Sequence, residues 1–262
     1  METKKCLIMC RTGMGSSMML KIKVDKLIDK NGYPMDVTHD AFSGFAGQQN
    51  VDIIINLTTS GGEYEDQKRL QHLAALHPEM CSFDPNTLNW SNSYIFENSP
   101  RFLNLLSQEV VKEDVKPEFE VFDTGHIDSV MYYVNKWNIP QPPHIQFIMG
   151  VGGSMPGTTE NLAFLVNKLP AGATWSVSGI GKAHMPMMLA GLSLGCDGLR
   201  VGLEDNILYG KNADGTKIIA TNEMLVKRAV ELAKLAGRHI DVAFMLIDPR
   251  QEKDFYLGMD DF

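Results

Sequence analysis

The chain has 262 residues, 44% of them hydrophobic and 21% charged, with a formal net charge of −8. That length accommodates one large α/β domain or two small ones, and the acidic balance argues against general attraction to nucleic acid or an anionic membrane. Any bound anion must therefore be held by local Arg, Lys or backbone N–H groups.

No stretch is apolar over the roughly 18 residues that a membrane span requires, and no signal-peptide pattern is seen. The cysteines Cys6, Cys10, Cys81 and Cys196 form no CxxC pair, as expected of reduced thiols in a cytoplasmic protein. Sixteen methionines read as adaptable core filler.

In chain order, the first apolar run is "KCLIMC", followed by a small-residue loop, "RTGMGSS". Leu20, Val24, Leu27 and Ile28 then give a helical stripe within residues 17–29. The second run, "MDVTHDA", carries His39, and only "FSGFAGQQN" separates it from the third, "VDIIINLTT". A parallel crossover usually needs about a dozen residues or more, so the second helix is missing or very short.

The third strand runs out into Thr58, Thr59, Ser60, Gly61 and Gly62, where small and hydroxyl residues would let a substrate oxyanion approach the backbone. A plain turn is the alternative. After "EMCSFD", the strand in "PEFEVFDTGH" places Glu118, Glu120 and Phe122 on one face, with Asp123 and His126 at its outlet. Two carboxylates on a buried strand are costly unless they meet cations or serve function.

"HIQFIMG" and "TWSVSG" follow, and then "GLRVGLED", where Arg200, Glu204 and Asp205 crowd the end of an otherwise apolar strand. Arg200 suits a bidentate carboxylate clamp, Glu204 a metal ligand, and Asp205 a base tuned by its neighbours; a structural ion-pair network is the alternative. A helix over 221–236 has Leu225, Ala229, Leu232 and Ala233 on one face and Thr221 as its N-cap. Eight β/α alternations predict an α/β fold, a closed TIM-type (β/α)8 barrel with functional residues at the C-terminal strand ends. Consecutive apolar positions suggest strands covered on both faces.

The strings around Ser60, Glu120 and Arg200, with "LHPEMCSFDPNTLNW", "GTTENLAFLVNKLPAGATWSVSGIG" and "ATNEMLVKRAVELA", resemble the β-keto acid cleavage enzymes over residues 51 to 238. The resemblance implies a barrel that moves the acyl end of a β-keto acid onto acetyl-CoA, giving acetoacetate and a new acyl-CoA, with zinc polarising the keto group. Carried onto matching positions, Arg200 would hold the substrate carboxylate, Ser60 would contact it and Asp205 would be general base. Glu120 would be the strand carboxylate and Glu204 a metal ligand. Two features depart from the family pattern. The His-x-His pair of the second strand is reduced to His39, and the carboxylate expected after the first strand is replaced by Cys10-Arg11-Thr12. Zinc binding and activity are accordingly expected to be weak or absent.

Residues 1 to about 50 resemble a different family, the B subunit of sugar phosphotransferase systems of the ascorbate and galactitol kind. That resemblance implies a phosphoryl-accepting Cys10 and a phosphate or sulfate cradle of Thr12, Gly13, Gly15, Ser16 and Ser17. Two families meeting inside one strand without a linker imply an engineered chimera. In it a flavodoxin-like β-α-β fragment replaces the first two barrel units, within one domain of residues 1–262 whose tail begins at residue 239. Two strand orders are open at the graft: the barrel's order sets strand 2 beside strand 3, whereas the donor's order, which the short connection favours, sets strand 1 beside strand 3 and strand 2 closing against strand 8. Three functions are in play: a product of fragment recombination with no selected activity, a β-keto acid cleavage enzyme, and a phosphocarrier acting through Cys10. The expected partners are small-molecule anions and further copies of the chain.

Overall fold

The computed structural model describes residues 4–10, 35–41, 54–238 and 244–247. The helical stripe of residues 17–29, the short link 42–50 and the loop Thr12–Ser17 lie outside them.

Eight strands form where the apolar runs place them: β1 (Lys4–Cys10), β2 (Met35–Ala41), β3 (Ile54–Leu57), β4 (Met80–Phe83), β7 (Lys116–Val121), β8 (His144–Met149), β9 (Thr174–Gly179) and β10 (Gly198–Leu199). Two short hairpins are added, β5 (Leu88–Trp90) with β6 (Tyr94–Phe96) and β11 (Leu208–Lys211) with β12 (Lys217–Ile219), and a last strand, β13 (Phe244–Ile247), follows. Between them run α1 (Asp66–Leu76), α2 (Pro100–Lys112), α3 (Thr124–Trp137), α4 (Thr159–Val166), α5 (His184–Leu194) and α6 (Asn222–Leu235).

The main sheet has seven parallel strands in the order β10-β9-β8-β7-β4-β3-β13, and it curls as part of a barrel wall. Here the structure corrects the sequence reading. β1 and β2 pair with each other in parallel, from Lys4 opposite Met35 to Cys10 opposite Ala41, and among the described residues neither is hydrogen-bonded into the main sheet. Strand 1 is not beside strand 3, and strand 2 does not close against strand 8. The place next to β3 is taken by β13, with Ile54 opposite Phe244 and Leu57 opposite Ile247. An apolar strand leaves its N–H and C=O groups unsatisfied at a buried edge, and the run "FMLI" supplies a ladder for them. Among the described residues the sheet is open, bounded by β10 and β13, and the eight-stranded ring is not formed.

Four of these helices begin at side-chain caps. Thr221 Oγ1 accepts from Met224 N at 3.2 Å to start α6. Ser99 caps α2 with Pro100 in its first turn, and Asp123 caps α3, its carboxylate accepting from Thr124 N at 2.7 Å. Asp123, expected at a functional outlet, is thus engaged in holding a helix.

The strands are not apolar on both faces. One face, carrying Phe83, Phe119, Val121, Ile145, Phe147, Trp175 and Val177, is buried against the helices, with the Phe83 and Phe119 ring centroids 4.9 Å apart. The alternate positions, Ser82, Glu118, Glu120, Gln146, Ser176 and Ser178, are polar and equally buried on the inner face of the curl. Parallel register aligns them into rows, Ser82 beside Glu118 beside His144, and Glu120 beside Gln146 beside Ser176. The period-2 alternation that builds a strand therefore gives this sheet an apolar outside and a polar lining.

Candidate active site

The lining converges at the C-terminal ends of the strands, where a barrel enzyme does its chemistry. Arg200 follows β10, and its guanidinium is the hub. Nε donates to Asp205 Oδ2 at 2.9 Å, and Nη2 donates to Asp205 Oδ1 at 3.0 Å and Glu204 Oε2 at 2.8 Å. Nη1 donates to Glu120 Oε1 at 3.1 Å and to Gln146 Oε1 at 3.4 Å. The orientation of the Gln146 amide is set only by its partners. Turned over, its nitrogen donates to both Glu118 oxygens at 3.3 Å. Burial opposes the Arg200 charge, but Asp205, Glu120 and Glu204 together hold its pKa well above the usual value.

Asp205 is almost wholly enclosed and takes a further hydrogen bond from Ser178 Oγ at 2.8 Å. Its backbone carbonyl accepts from Gly181 N at 3.0 Å, which ties the Arg200–Asp205 loop to the turn after β9. Glu204 differs: 52% of its side-chain surface is exposed, so it is the Arg200 partner most easily exchanged for an incoming carboxylate.

Opposite lies the run after β3. Thr59 N donates to Ser82 Oγ at 2.9 Å, and Thr59 Oγ1 donates to the Ser82 carbonyl at 2.8 Å. Arg69 of α1 is buried and grips the same turn, Nε donating to the Thr59 carbonyl at 2.9 Å and Nη2 to Asn98 Oδ1 at 2.6 Å. This bracing leaves Ser60 half-buried at the site, its hydroxyl donating to Asp84 Oδ2 at 3.1 Å. Asp84, just past β4, has a second oxygen that is buried and receives no N–H or hydroxyl among the described residues. Burial raises its pKa, against the pull of Arg69, and burial with the neighbouring Asp84 charge raises that of Glu120 well above the carboxylate range.

Glu118 lies one row deeper. Asn56 Nδ2 donates to it at 2.6 Å, His144 Nε2 is 3.7 Å away, and burial raises its pKa. The structure thus brings together Ser60, Glu120, Arg200, Glu204 and Asp205, and adds Asp84, Gln146, Ser178 and Asn56. Asp84, Gln146 and Ser178 carried a signal in the alternation of "CSFD", "IQF" and "WSVS", which reads as polar lining once one face is allowed to be wet.

His126 is turned away from chemistry. Its Nδ1 accepts from Phe122 N at 3.3 Å, and burial pushes its pKa down to about 4. Because the folded pKa lies below the unfolded value near 6.5, the unfolded chain binds the proton more readily, so the stabilisation is complete above about pH 6.5 and is lost as pH falls toward 4. In urea unfolding, wild type is expected to lose about 2 kcal/mol more than His126→Gln between pH 7.5 and pH 5. Equal losses would show that this imidazole does not couple to stability.

The residues nominated for zinc do not assemble a donor set among the described residues. Glu204 is paired with Arg200, the side chain of His39 lies outside what is described, and no group of three His, Cys, Asp or Glu is placed to hold a metal ion. Cys10 and its loop are likewise outside the described side chains. Cys81 and Cys196 are buried free thiols whose pKa values are raised by burial, that of Cys196 to about 11.

Comparison with known proteins places this geometry. The family model for beta-keto acid cleavage enzyme matches residues 36–243, which takes in β2 and so crosses the boundary that the sequence reading set near residue 51. A 3-keto-5-aminohexanoate cleavage enzyme from Fusobacterium nucleatum is 36% identical over 190 residues, 72% of this chain and 67% of that protein. A 3-dehydrocarnitine:acetyl-CoA trimethylamine transferase from Rhizobium meliloti is 31% identical over 212 residues, covering 73% and 69%. Among solved structures, the ternary complex of ObcA with C4-CoA adduct and oxalate aligns with a TM-score of 0.60 at 19% identity, which speaks to fold alone. It covers 76% of this chain and 51% of that one, so the chain spans about half the length of the solved structure it matches. The comparisons give no support to the phosphotransferase resemblance of the first fifty residues.

Proposed function

The chain belongs to the β-keto acid cleavage enzymes, and on that premise we propose that it cleaves a β-keto acid with acetyl-CoA as co-substrate. The acyl end of the keto acid would pass to coenzyme A and the carboxymethyl end would leave as acetoacetate. The observation that carries this reading is the Arg200–Asp205 pair, a buried cation and a carboxylate locked together in the mouth of the sheet beside Ser60 and Glu120.

In this reading the substrate carboxylate takes the place of Glu204 on Arg200 Nη2, since that contact is the exposed one. The methylene between carboxylate and ketone is then held near Asp205, which accepts its proton. The guanidinium offsets the negative charge that spreads over the enolate. Ser60 is held ready to donate to the same substrate by the bracing of Thr59 and Arg69. The enolate carbon attacks the acetyl thioester, the departing thiolate adds to the original ketone, and the carbon–carbon bond breaks to give acyl-CoA and a carbanion that takes the proton back from Asp205 to become acetoacetate.

The alternatives, an engineered graft with weak or absent activity and a phosphocarrier at Cys10, draw no support from the relatives. A panel of β-keto acids incubated with acetyl-CoA tests the proposal by mass spectrometry of the CoA pool. A new acyl-CoA whose mass tracks the acid supplied supports it; an unchanged CoA pool across anionic, neutral and cationic β-keto acids overturns it.

A further inference from the structure

We propose that Asp84 and Glu120 share a single proton, and that Asp84 is thereby a positioning residue that keeps the Arg200 side of the site able to accept a carboxylate. The proposal rests on the function above but is read from different contacts. Both carboxyls are almost wholly buried, and the parallel register of β4 and β7, with Phe83 opposite Phe119, brings Asp84 alongside Glu120 at the next position, a closeness that repels unless one of them carries a proton. Glu120 Oε1 is already committed to Arg200 Nη1, Asp84 Oδ2 takes the Ser60 hydroxyl, and Asp84 Oδ1 has no donor.

The surrounding charges do not remove the need for the proton. Arg200 faces Glu120 but also carries Asp205 and Glu204, Arg69 of α1 lies toward Asp84, and Glu118 adds another carboxylate on β7 itself. Among the described residues, Tyr94 of β6 and Glu63 beside it are further titratable groups on this side. Among the described residues, five carboxylates, Asp84, Glu118, Glu120, Glu204 and Asp205, therefore meet two guanidiniums. A site that must admit one more anion is served by holding a proton between Asp84 and Glu120.

The sign follows. Below the step at which the pair loses its shared proton, the dyad carries one negative charge; above it the dyad carries two, and a carboxylate bound to Arg200 is repelled. In wild type, affinity for acetoacetate measured by calorimetry is expected to fall about tenfold or more as pH rises through that step. In Asp84→Asn the dyad can never carry more than one charge, so the fall disappears while hydrogen bonding to Ser60 is retained. A uniform loss of affinity with the alkaline fall intact would mark Asp84 as merely structural and overturn the proposal.

The proton itself is read without ligand by titrating carboxyl carbons in 13C-labelled wild type, with Glu120→Gln used for assignment. Two coupled steps, one of them well above the ordinary carboxylate range, support the shared proton. Independent titration of both carboxyls in that ordinary range overturns it, even in a protein that cleaves β-keto acids. Coupled steps in a protein that cleaves none would instead overturn the proposed function and leave the dyad standing.

Discussion

Replacing Arg200 by methionine is expected to cost about 3–5 kcal/mol of stability at neutral pH and to abolish β-keto acid turnover. Asp205 and Glu120 are buried beside this guanidinium, so its removal strands two carboxylates with no equivalent cation. Each must then stay charged in a poorly solvated place or take up a proton. The second escape becomes easier as pH falls, so the deficit relative to wild type should be larger at pH 8 than at pH 5. Urea unfolding at both values checks the size and the trend. Arg200→Lys restores the charge but not the fork that serves Asp205 through two nitrogens, and should recover part of the stability and little of the activity. A deficit under about 0.5 kcal/mol for Arg200→Met would mean that the network contributes nothing to folding.

Asp205→Asn should separate chemistry from structure. The amide keeps the shape of the carboxylate and can still accept from Ser178 Oγ, but it cannot take the substrate proton. We expect kcat to fall by about 10²–10⁴ while affinity for acetoacetate changes far less. An Asp205→Asn enzyme within about fivefold of wild type in kcat would remove Asp205 from the role of base and leave it as the brace of Arg200.

The legible part of the molecule was what local chemistry dictates. Apolar runs and caps marked the strands and α6, and Thr221 caps that helix as its position before the stripe requires. Arg200, Glu204 and Asp205 stood out because charge at the end of an apolar strand demands a partner, and the structure joins all three. What one strand alone does not reveal is register across strands. The rows that align Glu120 with Gln146, and Ser82 with Glu118, depend on neighbours far apart in sequence, so Gln146, Ser178 and Asp84 were not singled out. The contact between Ser60 and Asp84 spans two strands in the same way.

The strand order failed for a related reason. Both expected orders assumed that the first two strands would enter the main sheet, because β/α alternation counts units without saying which edge each will find. β1 and β2 instead satisfy each other, and β3 receives an apolar strand from the tail, Phe244–Ile247. A buried edge selects for hydrogen-bonding groups and apolar side chains, not for chain position.

The central claim, that this site exchanges acyl groups between a β-keto acid and acetyl-CoA, is tested most directly by label transfer. Acetyl-CoA carrying 13C at both acetyl carbons is incubated with an unlabelled β-keto acid, and the products are followed by NMR. The account predicts acetoacetate labelled at its ketone and methyl carbons only, together with an unlabelled acyl-CoA derived from the acid. Label that remains in acetyl-CoA, or emerges as free acetate with the keto acid intact, would contradict it.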